Sequence, residues 1–313
     1  MESIPNNIGE NVVLWIDAQD PSEEEIEKLR KHFDLTDELN LEELTKEGQR
    51  SKIEEQQECI SCFTIFPKRE GFISEAKMDW LMFLVGKRWI ISVHKGYSET
   101  TCAVYKKIST HGYFALSLSP TMDILLYIFL DLITNEYFLV SDLVHERLQN
   151  LSKEAGRLFR EKPKQVGTNF GLEIAKSRDQ VLALRQSIGP LREIVGRITR
   201  GEFALVSSNI LSRFEALYDR TISLIDRVDN HREEIGDISN ILINVQTLTT
   251  NNIIRVLTIV SAIFLPLSLI AGISATDYAI PGINSIYSFY IMIGAMIAVV
   301  VSLILVFRSK SWL

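Results

Sequence analysis

The carboxylate of Asp277 is the first candidate for metal-ion chemistry, because it lies between two long stretches without charge. Val256 to Ile273 has no charged residue in 18 positions, and Ile286 to Phe307 has none in 22. Residues 274–285 between them hold this one acidic group and no Lys or Arg. A carboxylate in that position could attract cations to the mouth of a membrane path. It could also cap a turn with Tyr278 and face bulk water.

A second group of candidates follows one face of the first uncharged stretch. At steps of three and four, the spacing of neighbours on a helix face, the residues are small, weakly polar or large and apolar. They are Asn251, Ile254, Thr258, Ser261, Leu265, Ser268, Gly272 and Ala275, with Leu257 beside them. Such a face could line a water-filled path that its apolar members close by dewetting. Close packing between membrane helices favours the same small residues, and the spacing does not separate the two.

The cysteines and histidines give no comparable pattern. Cys59 and Cys62 form a C-x-x-C without a second pair, in a strand-like run where residues three apart point to opposite faces. A zinc site needs further ligands at suitable spacing, so we expect reduced cytosolic thiols. The five histidines are scattered and indicate no metal site: His32, His94, His111, His145 and His231. No nucleophile constellation, paired-carboxylate site or phosphate loop is visible, so an enzyme is not expected.

The two uncharged stretches are long enough to cross a membrane as helices, since a bilayer core of about 30 Å needs about 20 apolar residues. Arg255 precedes the first stretch, and Arg308 and Lys310 follow the second. Positive charge stays in the cytoplasm. We therefore expect a protein of the cell (inner or plasma) membrane with both termini in the cytoplasm and the loop 274–285 outside. The alternative is a buried hairpin in a soluble core.

The remaining sequence predicts a cytosolic part. The chain has 313 residues and a formal net charge of -7, which argues against nucleic acid as a partner. With no apolar run at its start, a signal peptide is not expected. Residues 1–115 alternate between strand and helix signals and predict an α/β domain. Helices are expected at Pro21–Phe33, with Ser22 as a possible cap, and at Thr36–Glu47; strands at Asn11–Ile16, Cys59–Phe66, Trp80–Leu84 and Arg88–His94.

From residue 116 the pattern changes to long helices. Residues 116–205 predict a helical hairpin region, with helices from Thr121 to about Glu161 and from Thr168 to about Arg200, broken by Pro163 and Gly167. Residues 206–273 predict a stalk helix of about 100 Å that runs into the first membrane helix; two helices broken near Gly236 are the alternative. A loop (274–285), a second membrane helix (286–308) and a cytosolic tail (309–313) complete an α+β membrane protein.

Two membrane helices cannot enclose a water-filled path, so transport would require several copies of the chain. Closed rotational symmetry is the usual arrangement of such copies. The first membrane helix is the better candidate to line the path. The second is more uniformly apolar and suits contact with lipid.

Several segments carry a resemblance that covers almost the full chain. They are VLTIVSAIFLPLSLIAGI (Val256–Ile273), the terminal Trp312 and Leu313, ALYDRT (Ala216–Thr221), IGPLREIV (Ile188–Val195) and QRSKIE (Gln49–Glu54). In order and spacing the chain resembles the CorA family of divalent-cation channels and transporters. The resemblance implies a funnel-shaped homopentamer in membrane lipid, in which the first span lines a central pore and the second surrounds it. It implies no cofactor, only a divalent cation as transported ligand.

The chain departs from the family at the outer end of the first span. Where CorA proteins carry Gly-Met-Asn, this sequence reads Ala275, Thr276 and Asp277, followed by the common aromatic as Tyr278. The resemblance therefore implies a ring of five carboxylates where the family has five amides. Such a ring would concentrate cations more strongly, and crowding of like charges would leave it partly protonated.

Further positions receive roles only from the resemblance. Asn251 matches a pore-facing Asn that meets the hydrated cation, and Asn240 stands where an acidic pore residue is common. The hydrophobic gate corresponds to Ile254, Leu257 and Leu265. Ala216 stands where family members can have an Asp in a regulatory metal site between subunits, so metal sensing is lost here or falls to the flanking Glu215 and Asp219.

The expected function is passive uptake of Mg²⁺ or a related cation. A divalent ion gains about 4.6 kcal/mol per 100 mV of inside-negative potential, and no ATP site is visible or needed. Mg²⁺ is the default ion of the family, and Zn²⁺, Co²⁺ or Ni²⁺ remain alternatives. A non-conducting membrane-anchored scaffold or regulator is the competing hypothesis from a different class.

Overall fold

The computed structural model describes residues 13–35, 50–55, 59–96, 98–109, 121–161, 168–274, 286–310 and 312. The chain divides into two compact units. The first contains residues Met1–Lys153 and Asn169–Ile238, and the second contains Glu154–Thr168 and Ser239–Leu313.

A mixed five-stranded sheet forms the centre of the first unit. Its strands are β1 (Leu14–Gln19), β2 (Lys52–Glu55), β3 (Ile60–Pro67), β4 (Met78–Val85) and β5 (Trp89–His94), in the spatial order β1-β5-β4-β3-β2. β1 is parallel to β5, and the other neighbours are antiparallel. The β4–β5 connection is tight: a Cβ on Gly86 would lie 2.3 Å from the Trp89 ring, so only glycine fits there.

One face of the sheet is covered by helix α1 (Glu23–Phe33). Ser22 caps this helix: its hydroxyl accepts a hydrogen bond from the Glu25 amide (3.3 Å), and the Glu25 carboxylate accepts one from the Ser22 amide (3.0 Å). This reciprocal pair satisfies two backbone donors that a helix start leaves free. Ile26 and Leu29 then pack on alternate residues of the strands. That core also contains Ala18, Phe63, Met82, Leu84, Ile91 and Val93.

The opposite face packs against helix α4 (Met122–Glu161). Phe129 of α4 lies 5.5 Å from the Trp15 ring and 4.5 Å from the Phe83 ring, measured between centroids. By length and composition three of the described helices could cross a membrane, and α4 is one of them. However, 67% of its apolar window is buried, whereas the apolar windows of the two C-terminal helices are 0% buried. The apolar side chains of α4 therefore belong to the core of the first unit.

The other described helices are α2 (Arg69–Glu75), α3 (Glu99–Ser109), α5 (Thr168–Thr199), α6 (Ser208–Ser274) and α7 (Ile286–Ser309). α6 is one helix of 67 residues, or about 100 Å at 1.5 Å per residue. It continues through Gly236, so the alternative of a break there is wrong. Buried residues recur every three or four positions from Ile210 to Ile238 and give this part of α6 a continuous, mostly apolar stripe.

Charged pairs join α6 to its neighbours in the first unit. Arg220 and Arg227 bond Asp131 and Asp142 of α4, and Arg185 of α5 bonds Asp229 at 2.8 Å.

Most predicted helices and strands are confirmed. Where the bounds of β1 differ from the prediction, its pairing with β5 explains the difference. β1 begins at Leu14 and extends to Gln19 because it pairs with β5 up to Gln19 opposite His94. Three elements were missed. β2 is a four-residue edge strand with three charged residues, while α2 contains non-helical backbone at Glu70 and Gly71. α3 was also missed, and the predicted helix Thr36–Glu47 and the break at Pro163 and Gly167 lie outside the described residues.

Tyr137 hydrogen-bonds a backbone carbonyl of β3 where β2 no longer pairs with that strand. Pairing between β2 and β3 ends at Lys52 opposite Phe63, so side chains meet the backbone of Ile65 beyond that point. The Ile65 amide donates to the Ser51 hydroxyl at 2.8 Å, and the buried Tyr137 hydroxyl donates to the Ile65 carbonyl at 2.6 Å.

We expect Tyr137→Phe to destabilise the protein by about 1–3 kcal/mol, because it leaves the Ile65 carbonyl without this donor. The melting temperature of the detergent-solubilised protein should fall by about 2–8 °C. Tyr105→Phe is the matched control, since the Tyr105 side chain is 66% exposed. Equal melting temperatures for the two variants would contradict the assignment.

Candidate metal-ion pathway

The candidate pathway residues that the structure describes all lie on α6. Every one of them is exposed in the single chain: Asn240, Asn251, Ile254, Leu257, Thr258, Ser261, Leu265, Ser268 and Gly272. The candidate mouth, Ala275, Thr276 and Asp277, lies outside the described residues. The helix thus carries the predicted line of residues up to Ser274, one residue before the mouth.

These residues share one side of the helix. At about 100° per residue they fall on a face about 120° wide. The residues between 251 and 274 that the rest of the chain partly covers lie on the other side: Ile259, Ala262, Ile263, Pro266, Leu267 and Ile270. Val260 and Phe264 between the two faces are also exposed. A single chain therefore leaves the whole predicted face open to another molecule.

The open face of α6 combines weakly polar groups with large apolar ones. Ile254, Leu257 and Leu265 are 55%, 64% and 72% exposed. The Thr258 hydroxyl donates to the Ile254 carbonyl at 2.8 Å. Because this proton is already used, the hydroxyl presents an acceptor oxygen outward. The face can contact the water shell of a cation, but between Val256 and Ser274 it offers no carboxylate to replace that shell.

Glu215 and Asp219, the uncertain regulatory residues, lie one turn apart on α6 with Ala216 between them. All three are exposed. Within the described part of the chain, neither carboxylate belongs to a group of three potential metal ligands. Mg²⁺ requires octahedral oxygen coordination, so a site at this position would need waters or groups from another subunit.

The C-x-x-C segment does not present a metal-binding thiolate pair. Cys59 and Cys62 are buried thiols outside any disulfide, one immediately before β3 and the other within it. Burial raises the pKa of the Cys62 thiol to about 12. Cys62 is therefore a neutral thiol at physiological pH, whereas metal ligation and nucleophilic attack require the thiolate.

The structure corrects the reading of the histidines as scattered. His145 of α4 and His231 of α6, 86 positions apart in sequence, stack with ring centroids 5.4 Å apart. His145 Nδ1 lies 3.8 Å from the Glu234 carboxylate, and His231 Nε2 lies 3.0 Å from the Ser141 hydroxyl. Burial lowers the pKa of His231, and the nearby His145 and Arg227 lower it further. The only signal in the sequence was His231 and Glu234 three apart on one helix face.

Comparison with known proteins places the chain in a family. The model of the CorA-like Mg²⁺ transporter protein family matches residues 10–309. The cobalt/magnesium transport protein CorA of Thermotoga maritima is 22% identical over 276 residues, which cover 88% of this chain and 76% of that protein. A protein of the same name from Methanocaldococcus jannaschii is 23% identical over 303 residues, covering 96% and 92%.

The fold agrees with this assignment. The solved structure of the CorA magnesium transporter of Methanocaldococcus jannaschii superposes with a TM-score of 0.82 at 21% identity. The match covers 99% of this chain and 95% of the other. With its mixed-sheet α/β domain, long helices and two exposed apolar helices at the C-terminus, the chain belongs to the CorA-like family of membrane proteins that transport divalent metal ions.

Proposed function

We propose that five copies of this chain surround a central pore through which Mg²⁺ or a related cation enters the cell, driven by the membrane potential. The observation that carries the proposal is the open face of α6, which holds the polar line and the large apolar residues on one side. Because one chain cannot enclose a path, this face must meet its own copies across a symmetry axis. The resemblance to the family supplies the number five.

The open face of α6 suits a cation that keeps its water shell. Mg²⁺ loses water reluctantly and is usually met through its hydration shell. The outward oxygens of Asn251, Thr258 and Ser261 are hydrogen-bond partners for such a shell, and none of them carries a charge that would hold the ion. Ile254, Leu257 and Leu265 supply apolar rings that stop flow when water leaves the space between them.

Orientation follows from the positive-inside rule. Arg255 and Arg308 mark the cytoplasmic ends of α6 and α7 within the cell membrane, which leaves both termini in the cytoplasm. Asp277 then belongs to the outer mouth. A ring of five carboxylates there raises the local concentration of cations above that of an amide ring. Direct coordination by carboxylates would also slow release of the ion.

The expected cargo is Mg²⁺, with other divalent ions as alternatives. The named relatives are cobalt/magnesium transport proteins, which favours Mg²⁺ with Co²⁺ as a second cargo. Zn²⁺ and Ni²⁺ are alternatives because the mouth sequence differs from Gly-Met-Asn. Sensing of intracellular metal would fall to Glu215 and Asp219 at a contact between subunits.

We expect purified protein in liposomes to pass divalent cations when an inside-negative potential is imposed. The driving force is about 4.6 kcal/mol per 100 mV for a doubly charged ion. Entry of Mg²⁺, Co²⁺, Ni²⁺ and Zn²⁺ is measured with an internal fluorescent indicator, and empty liposomes provide the baseline. Absence of flux for all four ions at several pH values would favour the scaffold hypothesis over transport.

Two serine substitutions on α6 test which side of the helix faces the pore. Leu257→Ser hydrates the proposed gate and should raise flux through the closed state about tenfold, because dewetting needs an apolar surface. Val260→Ser makes the same kind of change at a residue that lies outside the polar face and is 46% exposed; it should leave flux within about twofold. Equal effects of the two substitutions would reject the proposed pore face.

Asp277→Asn restores the amide of the family's signature at the proposed mouth. We expect flux at low ionic strength to fall several-fold and the difference to shrink as salt screens the carboxylate ring. Glu24→Gln on α1 removes an exposed carboxylate elsewhere and serves as the control. Unchanged flux and ion preference in Asp277→Asn would remove Asp277 from the mouth.

A further inference from the structure

We propose that His145, His231 and Glu234 form a binding site for one transition-metal ion of the Zn²⁺ and Co²⁺ type, within a single subunit and between helices α4 and α6. Each side chain offers one ligand atom, and the three atoms lie within 4.8 Å of one another. The site is separate in sequence and in chemistry from the pore residues of α6.

The donor set selects the class of metal. Two imidazole nitrogens and one carboxylate oxygen bind Zn²⁺ in proteins, with water as fourth ligand. Mg²⁺ prefers oxygen ligands in an octahedral shell, so imidazole discriminates against it. In a tetrahedral zinc site neighbouring ligand atoms are roughly 3.4 Å apart. The 3.8 Å between His145 Nδ1 and the Glu234 carboxylate requires only small side-chain rotations to reach that spacing.

Neighbouring polar groups hold both rings. The Gln149 amide lies 2.9 Å from His145 Nε2, which leaves Nδ1 as the nitrogen directed at Glu234. Turning that amide so that its oxygen accepts from Nε2–H frees the Nδ1 lone pair, as the outer partners of metal-binding histidines usually do. The Ser141 hydroxyl, which is fully buried, holds His231 in the same way through Nε2.

One of the three proposed ligands is buried and the other two are partly exposed, so an ion can reach the site from solvent. His231 is 4% exposed and occupies a position in the apolar stripe of α6, where the neighbours are Val228 and Ile235. The side chains of His145 and Glu234 are 49% and 30% exposed and line the solvent side. A polar imidazole at a core position, open on one side to a second imidazole and a carboxylate, gives the ion a route from solvent to its deepest ligand.

The positive charge of Arg227 near the site is already compensated. Arg227 bonds the Asp142 carboxylate, and its guanidinium lies 5.4 Å from the Phe138 ring centroid. A divalent ion would therefore meet one uncompensated carboxylate, Glu234, and two rings. Because the ligands come from α4 and α6, the bound ion would join these helices within the first unit and stabilise the folded subunit by mass action.

The test compares metal binding by the full-length protein, stripped with a chelator in detergent, with that of two variants. His145→Asn/Glu234→Gln removes the two solvent-side ligands and leaves the buried His231 in place, so that the fold is kept. Glu233→Gln is the matched control, because it removes an exposed carboxylate from the adjacent position of the same helix. Zn²⁺ is titrated by calorimetry, and Co²⁺ is followed by its visible d–d absorption.

We expect wild type and Glu233→Gln to bind one more Zn²⁺ per subunit than the double variant, or to bind it at least about tenfold more tightly. The Co²⁺ spectrum should show nitrogen ligation that the double variant lacks, and a large excess of Mg²⁺ should not displace it. Zn²⁺ should also raise the melting temperature of wild type more than that of the double variant. An unchanged zinc stoichiometry, affinity and Co²⁺ spectrum in the double variant would overturn the site, whatever the protein transports.

Discussion

The continuous helical backbone of α6 is the constraint on which the rest of the molecule depends. Lipid offers no hydrogen bonds, so a segment can cross a bilayer only if its amides and carbonyls are satisfied internally. α6 is one helix from Ser208 to Ser274, and Pro266, which cannot donate an amide hydrogen bond, removes one bond from its ladder. The same helix therefore contributes to the core of the first unit and presents a polar line among apolar residues further along.

Along α6 the surroundings of the side chains change, while the backbone remains helical throughout. From Ile210 to Ile238 buried, mostly apolar residues recur every three or four positions, and Arg220 and Arg227 bond carboxylates of α4. From Asn251 to Ser274 the side chains are exposed or only partly covered in the single chain, and they are mostly apolar. His231 lies in the stripe of the first part, where an imidazole has to be met by other polar groups because burial disfavours it unpaired. Ser141 hydrogen-bonds it, His145 stacks on it, and Glu234 lies beside His145.

The chemistry of the two candidate metal sites differs because their donors differ. The open face of α6 from Asn251 onward carries an amide, hydroxyls and aliphatic groups, which suit a passing hydrated ion that must not be held. The cluster around His231 carries nitrogens and a carboxylate, which suit a retained ion. The proposed pore would therefore pass an ion that keeps its water shell, whereas the proposed cluster would retain an ion that accepts nitrogen ligands.

The sequence alone determined the features that depend on local patterns. The lengths of Val256–Ile273 and Ile286–Phe307, the capping of α1 by Ser22 and the long stalk helix could all be predicted, since periodicity, charge and capping act between residues close in the chain. The family and the line of pore candidates on α6 came from the same kind of pattern. The structure places that line on one open face, whereas Asp277 remains a prediction from the sequence.

Only the tertiary structure decided the contacts between distant residues. β2 was not predicted because its strand character comes from pairing with β3. By length and composition α4 could cross a membrane, and only its burial shows that its apolar side chains pack in the first unit. His145 and His231 are 86 positions apart, and no local pattern records that α4 and α6 bring their rings together. The distance between the two rings is set by the packing of α4 against α6, and that packing depends on buried surfaces from the whole unit.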